Sequence, residues 1–241
     1  LNWEIWTGTA PMRPYVKDIY QPTKWRAWQD FGTGWSGDIG CHIFDPVWKG
    51  LGLKAPLSVI AEVQKSWQDS PERRADTWPQ ADHITWQFPA NELTVSEGLT
   101  LEWFDGEFYP PKEIRALYSV EKYPAESSML IGTEGALLIP HQGTPVLLPE
   151  SKFKDHKLPQ MDEQNHYHNF VNACLGGPKT KSHFAQTGPM TEAIILGTVA
   201  IRAPNILLEW DSVNMKFRNY PEAEKYLRRT YRKEWQVGGE F

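Results

Sequence analysis

Three short segments with alternating apolar and polar residues constrain the fold of this chain more than any other feature. They cover residues 57–63, 84–88 and 99–104. Alternation with a period of two is typical of strands that bury one face, and strands that follow one another directly pair as antiparallel neighbours. Two apolar runs on either side of the glycines at 132 and 135 predict a hairpin over 129–139. Shorter strands are predicted at 145–148, 206–210 and 215–218.

A helical spacing of apolar residues predicts helices over 37–52, 162–175, 189–203 and 221–231. Pro46 is expected to kink the first of them. Asp162 is the expected N-cap of the second helix. The inner face of that helix would carry Tyr167, Phe170, Val171 and Cys174.

Because the predicted strands outnumber the helices, the fold class is α+β, a large and mostly antiparallel open sheet with helices on one face. We expect a single domain over 1–241, in which 1–36 form an aromatic-rich loop and 37–241 form the helix-covered sheet. The broad face of such a sheet is a natural contact between copies of a chain, so a homo-oligomer is expected.

The first 36 residues are unusual in their aromatic content and show no helical or alternating period. Aromatic rings stack on sugars and nicotinamides, so these side chains are candidates for the walls of a sugar or polyol pocket. The alternative is that the rings fix an irregular segment to the core. Five of the twelve tryptophans fall here, namely Trp3, Trp6, Trp25, Trp28 and Trp35.

Composition excludes several classes of function. The formal net charge of −5 disfavours a nucleic-acid-binding protein, which needs a basic face. No apolar run approaches the roughly 20 residues of a membrane helix. We expect no leader sequence before Leu1 in this chain, and a cleaved leader stays open. The compartment stays open between cytoplasm and periplasm. Cys41 and Cys174 are far apart in apolar helical patterns and are expected to be buried thiols rather than a disulfide or a metal pair.

The segment 37–45 is the strongest candidate for chemistry. On a helix, Asp38, His42 and Asp45 share one face, because residues four and seven positions apart stack. A carboxylate one turn from an imidazole can orient the ring and stabilise its charge during proton transfer. Since Asp and His at this spacing are also common without function, a purely structural role remains open at this point. The opposite face carries Ile39, Ile43, Phe44, Val47, Trp48 and Leu51.

Two other patterns have weaker support. Residues 32–37 have the spacing G-x-G-x-x-G, but no apolar strand precedes them and Asp38 would place negative charge beside a phosphate. We therefore expect these glycines to allow a tight backbone approach instead. His166 and His168 point about 200° apart on a helix and cannot share a metal ion, so no metal site is predicted. No serine has a G-x-S-x-G setting.

Taken together, these motifs resemble the substrate domain of the Gfo/Idh/MocA oxidoreductases, relatives of glucose–fructose oxidoreductase and inositol dehydrogenase. The most specific part is the D-x-x-x-H-x-x-D element, whose Asp and His match Asp38 and His42. The similarity extends over nearly the whole chain. It is carried by residues 25–34, 37–45, 132–135, 188–193 and 208–211.

The resemblance implies an NAD(P)-dependent oxidoreductase that transfers a hydride between nicotinamide and a sugar or polyol hydroxyl. His42 would take the hydroxyl proton, Asp38 would support the ring, and the cofactor would be bound mainly by an N-terminal Rossmann domain absent from this chain, which alone would be inactive. Candidate substrate contacts are Arg13, Tyr15, Trp25 and Arg26. Two alternatives stay open: a non-catalytic oligomerisation or carbohydrate-binding module, and an NAD-dependent glycoside hydrolase of the same family.

Overall fold

A computed structural model describes residues 1–161 and 164–236. Its strands are β1 (Ser58–Val63), β2 (Asp82–Phe88), β3 (Leu99–Phe104), β4 (Ser127–Ile131), β5 (Ala136–Pro140), β6 (Val146–Leu148), β7 (Leu208–Asp211) and β8 (Lys216–Phe217). Its α-helices are α1 (Trp3–Thr7), α2 (Gly34–Gly50), α3 (Lys65–Gln68), α4 (Pro71–Asp76), α5 (Lys112–Ala116), α6 (Glu150–Phe153), α7 (His166–Cys174) and α8 (Phe184–Arg202). Helices of the 3-10 type cover Lys24–Ala27, Pro221–Tyr226 and Lys233–Trp235.

The largest sheet has five strands in the order β3-β2-β1-β7-β8, and all of its pairs are antiparallel. Strand β2 shows the expected alternation, since Ile84, Trp86 and Phe88 are buried while the residues between them are half-buried. The long helix α8 packs against β1 and β2, and α2 packs against α8. The α+β fold class with an antiparallel sheet and helices is therefore confirmed.

The strands do not form one continuous sheet, however. β4, β5 and β6 form a separate antiparallel sheet with its own small core. The connection from β3 to β4 contains Pro110, Pro111 and Pro124 as well as the short helix α5, which was not predicted from the sequence. Proline has no backbone N–H to donate to a neighbouring strand, so this connection interrupts the pairing between consecutive strands. No observation tests the expected oligomer.

Helix α8 forms the centre of the main core. The indole Nε1 of Trp86 donates a hydrogen bond of 2.8 Å to the carbonyl of Ala193, which joins the sheet to the helix. Gly197 lies against the same indole, where a side chain would have no room. The helix begins at Phe184 rather than at Pro189, so the proline lies inside it.

The N-terminal segment contains short helices that its sequence did not predict. Asn2 caps α1 by accepting a hydrogen bond from the backbone of Ile5, and within the helix Trp3 stacks on Trp6 with ring centroids 4.8 Å apart. Tyr20 and Phe31 close the cluster around these rings. These aromatic side chains therefore pack the N-terminal segment against itself, and the ion pair of Arg13 with Asp76 joins it to α4.

Two further helices were missed between β1 and β2. The sequence from 66 to 81 is polar and rich in turn residues, and no helix was predicted there, yet it contains most of α3 and all of α4, whose start signals are local. Ser70 accepts a hydrogen bond from the backbone N–H of Arg73, and Pro71 occupies the first helical position. At the other end of the chain, the predicted helix over 221–231 is a 3-10 helix that ends at Tyr226.

Helix α7 corrects a prediction about burial. It begins at His166, with Asn165 as the N-cap; the predicted cap Asp162 lies outside the described residues. Its expected inner face is exposed at Tyr167, Phe170 and Val171. Helical periodicity shows that one face is apolar, but it does not show that another element covers that face.

Both thiols are also exposed rather than buried, at Cys41 on α2 and at Cys174 on α7. Both cysteines lie in apolar sequence patterns, but each is on the solvent-exposed side of its helix. No described helix is long and apolar enough to cross a membrane.

Candidate active site

Helix α2 presents the polar face that the sequence predicted. It buries Ile43, Phe44, Val47 and Trp48, while His42 is exposed on the other side. Its apolar face is held close to α8, because Gly40 leaves space for Ile194. Burial of one face thus fixes the orientation of the other, and this orientation carries the candidate site.

The three polar residues of this face have different partners. Asp38 forms an ion pair with Arg26, and Asp45 forms one with Lys49 one turn further along the helix. In the described part of the chain, no hydrogen bond joins Asp38 to His42. The carboxylate that the sequence assigned to the imidazole is instead held by a guanidinium.

Two of the predicted substrate contacts, Trp25 and Arg26, are joined to helix α2 through Arg26. Its guanidinium carbon lies 4.7 Å from the centre of the Trp25 ring, and its Nε donates to the carboxylate of Asp38. Arg26 and Trp25 come from the 3-10 helix that precedes α2, which places them beside the first turns of α2. Trp25, Arg26 and Asp38 therefore form one group.

His42 has a partner that sequence reasoning missed. The imidazole rings of His42 and His141 lie with their centroids 4.9 Å apart. The Nδ1 atom of His141 is 2.6 Å from a carboxylate oxygen of Glu126. A carboxylate can only accept hydrogen bonds, so Nδ1 of His141 carries the hydrogen and its other ring nitrogen is left as an acceptor when the ring is neutral.

The β4–β5 hairpin brings Glu126 and His141 together. Its register pairs Ile131 with Ala136 and Ser127 with Pro140, and one step further along the ladder Glu126 lies opposite His141. The backbone N–H of His141 donates 2.9 Å to the Glu126 carbonyl. Extending the predicted hairpin by this register would have found the pair.

The hairpin also contacts α2 directly. The hydroxyl of Ser128 donates a hydrogen bond of 2.8 Å to the backbone carbonyl of Ile43. This contact places the end of the hairpin beside the turn of α2 that carries His42. The sequence contained no signal for it, because the two residues are 85 positions apart.

Two predicted substrate contacts lie in the N-terminal aromatic cluster instead. Arg13 forms ion pairs with Asp30 and Asp76, and its guanidinium lies over the rings of that cluster. Burial lowers the pKa of Arg13, but its hydrogen bonds to acidic and phenolic partners raise it overall. Tyr15 meets the edge of Trp3 and is about half exposed. The structure does not bring Arg13 or Tyr15 together with His42.

The glycine-rich loop at 32–37 does not fit a dinucleotide. A Cβ atom on Gly32 would lie 2.8 Å from Cα of Arg26, and one on Gly37 would lie 2.4 Å from the side chain of Thr33. Gly34 has a φ of +71° and faces Trp78. These glycines give room to protein atoms, so the loop is not a cradle for a cofactor phosphate.

No group of three or more histidine, cysteine or acidic side chains in the described ranges has a geometry that could hold a metal ion. His166 and His168 lie on the exposed helix α7. The remaining chemistry near α2 is therefore that of imidazole, carboxylate and guanidinium.

A family model described as the oxidoreductase family, C-terminal alpha/beta domain, matches residues 1–88. The matched region contains the whole of α2 with Asp38 and His42, together with Trp25 and Arg26. No curated protein shows significant sequence similarity to the chain. The match covers 88 of the 241 residues, so the N-terminal part of the chain is similar to the C-terminal alpha/beta domain of the Gfo/Idh/MocA oxidoreductases, in agreement with the resemblance of its motifs.

Proposed function

We propose that this domain forms the substrate side of an NAD(P)-dependent oxidoreductase that acts on a hydroxyl group of a sugar or polyol. The observation that carries the proposal is the exposed His42 ring against His141, with Glu126 behind. The nicotinamide supplies the hydride acceptor when it is bound. The glycine-rich loop at 32–37 has no room for the cofactor phosphates, so we propose that another domain binds NAD(P). This domain would bind the substrate and accept its proton.

In this proposal His42 takes the proton of the substrate hydroxyl. An imidazole is suited to this step because its charge changes between about pH 5 and pH 8. The positive charge that forms on His42 lies beside the ring of His141, which the Glu126 carboxylate orients through Nδ1. Glu126 bonds to His141, so its negative charge favours the charge on His42 from behind that second ring.

Asp38, Arg26 and Trp25 would contact the substrate on the neighbouring turn. The indole of Trp25 offers an apolar face of the kind on which sugar rings stack. The guanidinium of Arg26 has several N–H donors, and its ion pair with Asp38 leaves some of them for sugar hydroxyls. Arg13 and Tyr15 remain predictions for substrate contact, now at a separate place in the structure.

The test uses the protein as encoded by its gene, with NAD⁺ or NADP⁺ and a panel of sugars and polyols. Replacing His42 by Gln should lower kcat by about 10²–10⁴-fold, the usual contribution of a general base, and change KM much less. His156→Gln is the matched control, because His156 is an exposed histidine just after α6 whose backbone N–H bonds to Phe153 of that helix. Unchanged turnover in His42→Gln would refute the proton-transfer role.

The same assays separate the alternatives. If sugars bind but no nicotinamide is reduced with any of them, the domain is a carbohydrate-binding module. If glycosides are cleaved without net reduction of the cofactor, the enzyme is an NAD-dependent glycoside hydrolase. His141→Gln gives a further check, since it should change the pH profile of kcat while His42 remains in place.

A further inference from the structure

A groove on the molecule shares no residue with the His42 site. It lies between α4, the C-terminal end of α8 and the 3-10 helix Pro221–Tyr226, and it consists of two adjoining cavities of about 330 Å³ each. Arg74, Arg202, Lys225 and Tyr226 line both cavities. Their combined size is in the range of small-molecule sites, which is about 300–1,000 Å³.

The charge of this groove is the opposite of the charge of the chain. The formal net charge of the protein is −5, yet three cationic side chains converge here and Glu222 is the single acid among the described lining residues. Within residues 1–161 and 164–236, the charged groups of Arg74, Arg202 and Lys225 form no ion pair or hydrogen bond. Cations that converge without counter-charges favour an anionic ligand.

Arg202 is the least exposed of the three cationic side chains. It is half-buried at the end of α8, and its guanidinium carbon lies 4.0 Å from the centre of the Tyr226 ring. The ammonium of Lys225 lies 4.9 Å from the same ring. Burial lowers the pKa of Arg202, and the nearby charge of Arg229 lowers it further. A guanidinium stacked on a ring keeps its in-plane N–H groups available for an acceptor.

We propose that this groove binds a phosphate group, either as the free ion or as part of a small phosphorylated molecule, through Arg74, Arg202 and Lys225. Arginine matches phosphate better than other anions, because its planar fork donates two parallel hydrogen bonds to two oxygens. Three cationic side chains and one acidic side chain suit a ligand with two negative charges better than a ligand with a single carboxylate. The aromatic and aliphatic walls, Trp67, Ala75 and Ile206 among them, would contact the rest of a carried ligand.

The test is a titration of the chain with inorganic phosphate by calorimetry, at constant ionic strength maintained with chloride. Saturable binding is expected, and Arg74→Gln and Lys225→Gln should each weaken it by about tenfold, as expected for the loss of a charge-assisted contact. Both side chains are exposed, so these variants should fold. Arg73→Gln is the matched control, because Arg73 is the neighbouring arginine on α4 and its guanidinium contacts Ser66 instead.

The source of the phosphate follows from a second titration. Tighter binding of glycerol phosphate than of inorganic phosphate shows a phosphorylated small molecule, and equal affinity shows the free ion. Arg202→Lys should retain part of the affinity, since it keeps the charge and loses the fork. If the heat is the same with chloride alone, or if Arg73→Gln weakens binding as much as Arg74→Gln does, the proposal is wrong. None of these readouts depends on oxidoreductase activity.

Discussion

Gly197 offers the sharpest test of how α8 packs on the sheet. A Cβ atom at this position would lie 2.5 Å from Cζ2 of Trp86 and 3.2 Å from Cδ1 of Ile84. Carbon atoms in good contact are about 3.5–4.0 Å apart, so Gly197→Ala creates an overlap of about 1 Å. The indole cannot move away easily, because it is fully buried and hydrogen-bonded to the carbonyl of Ala193.

The expected net effect is a loss of stability. Overpacking a core costs about 1–3 kcal/mol, and the overlap with a fixed ring places this variant toward the upper end of that range. Alanine gains about 1 kcal/mol over glycine in a helix interior, which offsets part of the cost. We therefore expect Gly197→Ala to lower the free energy of unfolding by about 2 kcal/mol. For a domain of this size that corresponds to a fall in Tm of about 4–8 °C.

Urea unfolding followed by tryptophan fluorescence measures the change, and Gly50→Ala is the matched control. Gly50 is also helical, but it is exposed at the end of α2 and an added Cβ has no neighbour within 4 Å. This variant should be as stable as the original chain or up to about 1 kcal/mol more stable.

A double-variant cycle with Trp86→Phe locates the cause. The smaller ring removes the clash, so Gly197→Ala should cost less in that background than in the original chain. A Gly197→Ala protein as stable as the original, or costs that simply add in the double variant, would refute this description of the helix–sheet contact.

Two further predictions concern groups whose pKa the fold shifts. Burial raises the pKa of Asp82 well above its ordinary value of 3.8, and the charge of Asp105 adds to this, so the folded state keeps the proton to a higher pH than the unfolded chain does; stability should fall as the pH rises above about 4. Asp82→Asn should therefore stabilise the fold by about 1–3 kcal/mol at pH 8 and by less near pH 4 in urea unfolding, whereas exposed Asp69→Asn should change little. Both cysteines should react with a thiol reagent in the folded protein, Cys41 more slowly than Cys174, because burial and nearby carboxylates raise the pKa of the Cys41 thiol; protection of both thiols would contradict their exposure.

The strands were predictable because their evidence is local. In β2 every second residue from Asp82 to Phe88 is buried, and an alternation of this kind can be read without knowing what lies opposite. The start of α4 was equally local, with a serine cap and a proline at the first position, and should have been predicted. The exposed face of α7 could not be predicted, because an apolar stripe looks the same in sequence whether or not another element covers it.

In the candidate site, too, the features with local evidence were predictable and those that depend on distant contacts were not. The common face of Asp38 and His42 follows from helical spacing alone, and the sequence identified it. The partner of His42 required two steps, the register that sets Glu126 against His141 and the contact between Ser128 and α2. The first step is local to a hairpin, whereas the second joins residues far apart in the chain and emerges only in the folded molecule.

The position of Arg26 changes how the charges of the site are understood. From the sequence it was a candidate sugar contact and Asp38 was the support for His42, yet the two are paired with each other. A carboxylate that shares its charge with a guanidinium attracts an imidazolium less, so Asp38 is poorly placed to be the main support of a charged His42. Among the described residues, the Glu126 carboxylate pairs with His141 and with no guanidinium. In the proposed mechanism the proton chemistry is therefore divided between two elements, with the base His42 on α2 and the carboxylate of Glu126, which acts through His141, on the hairpin.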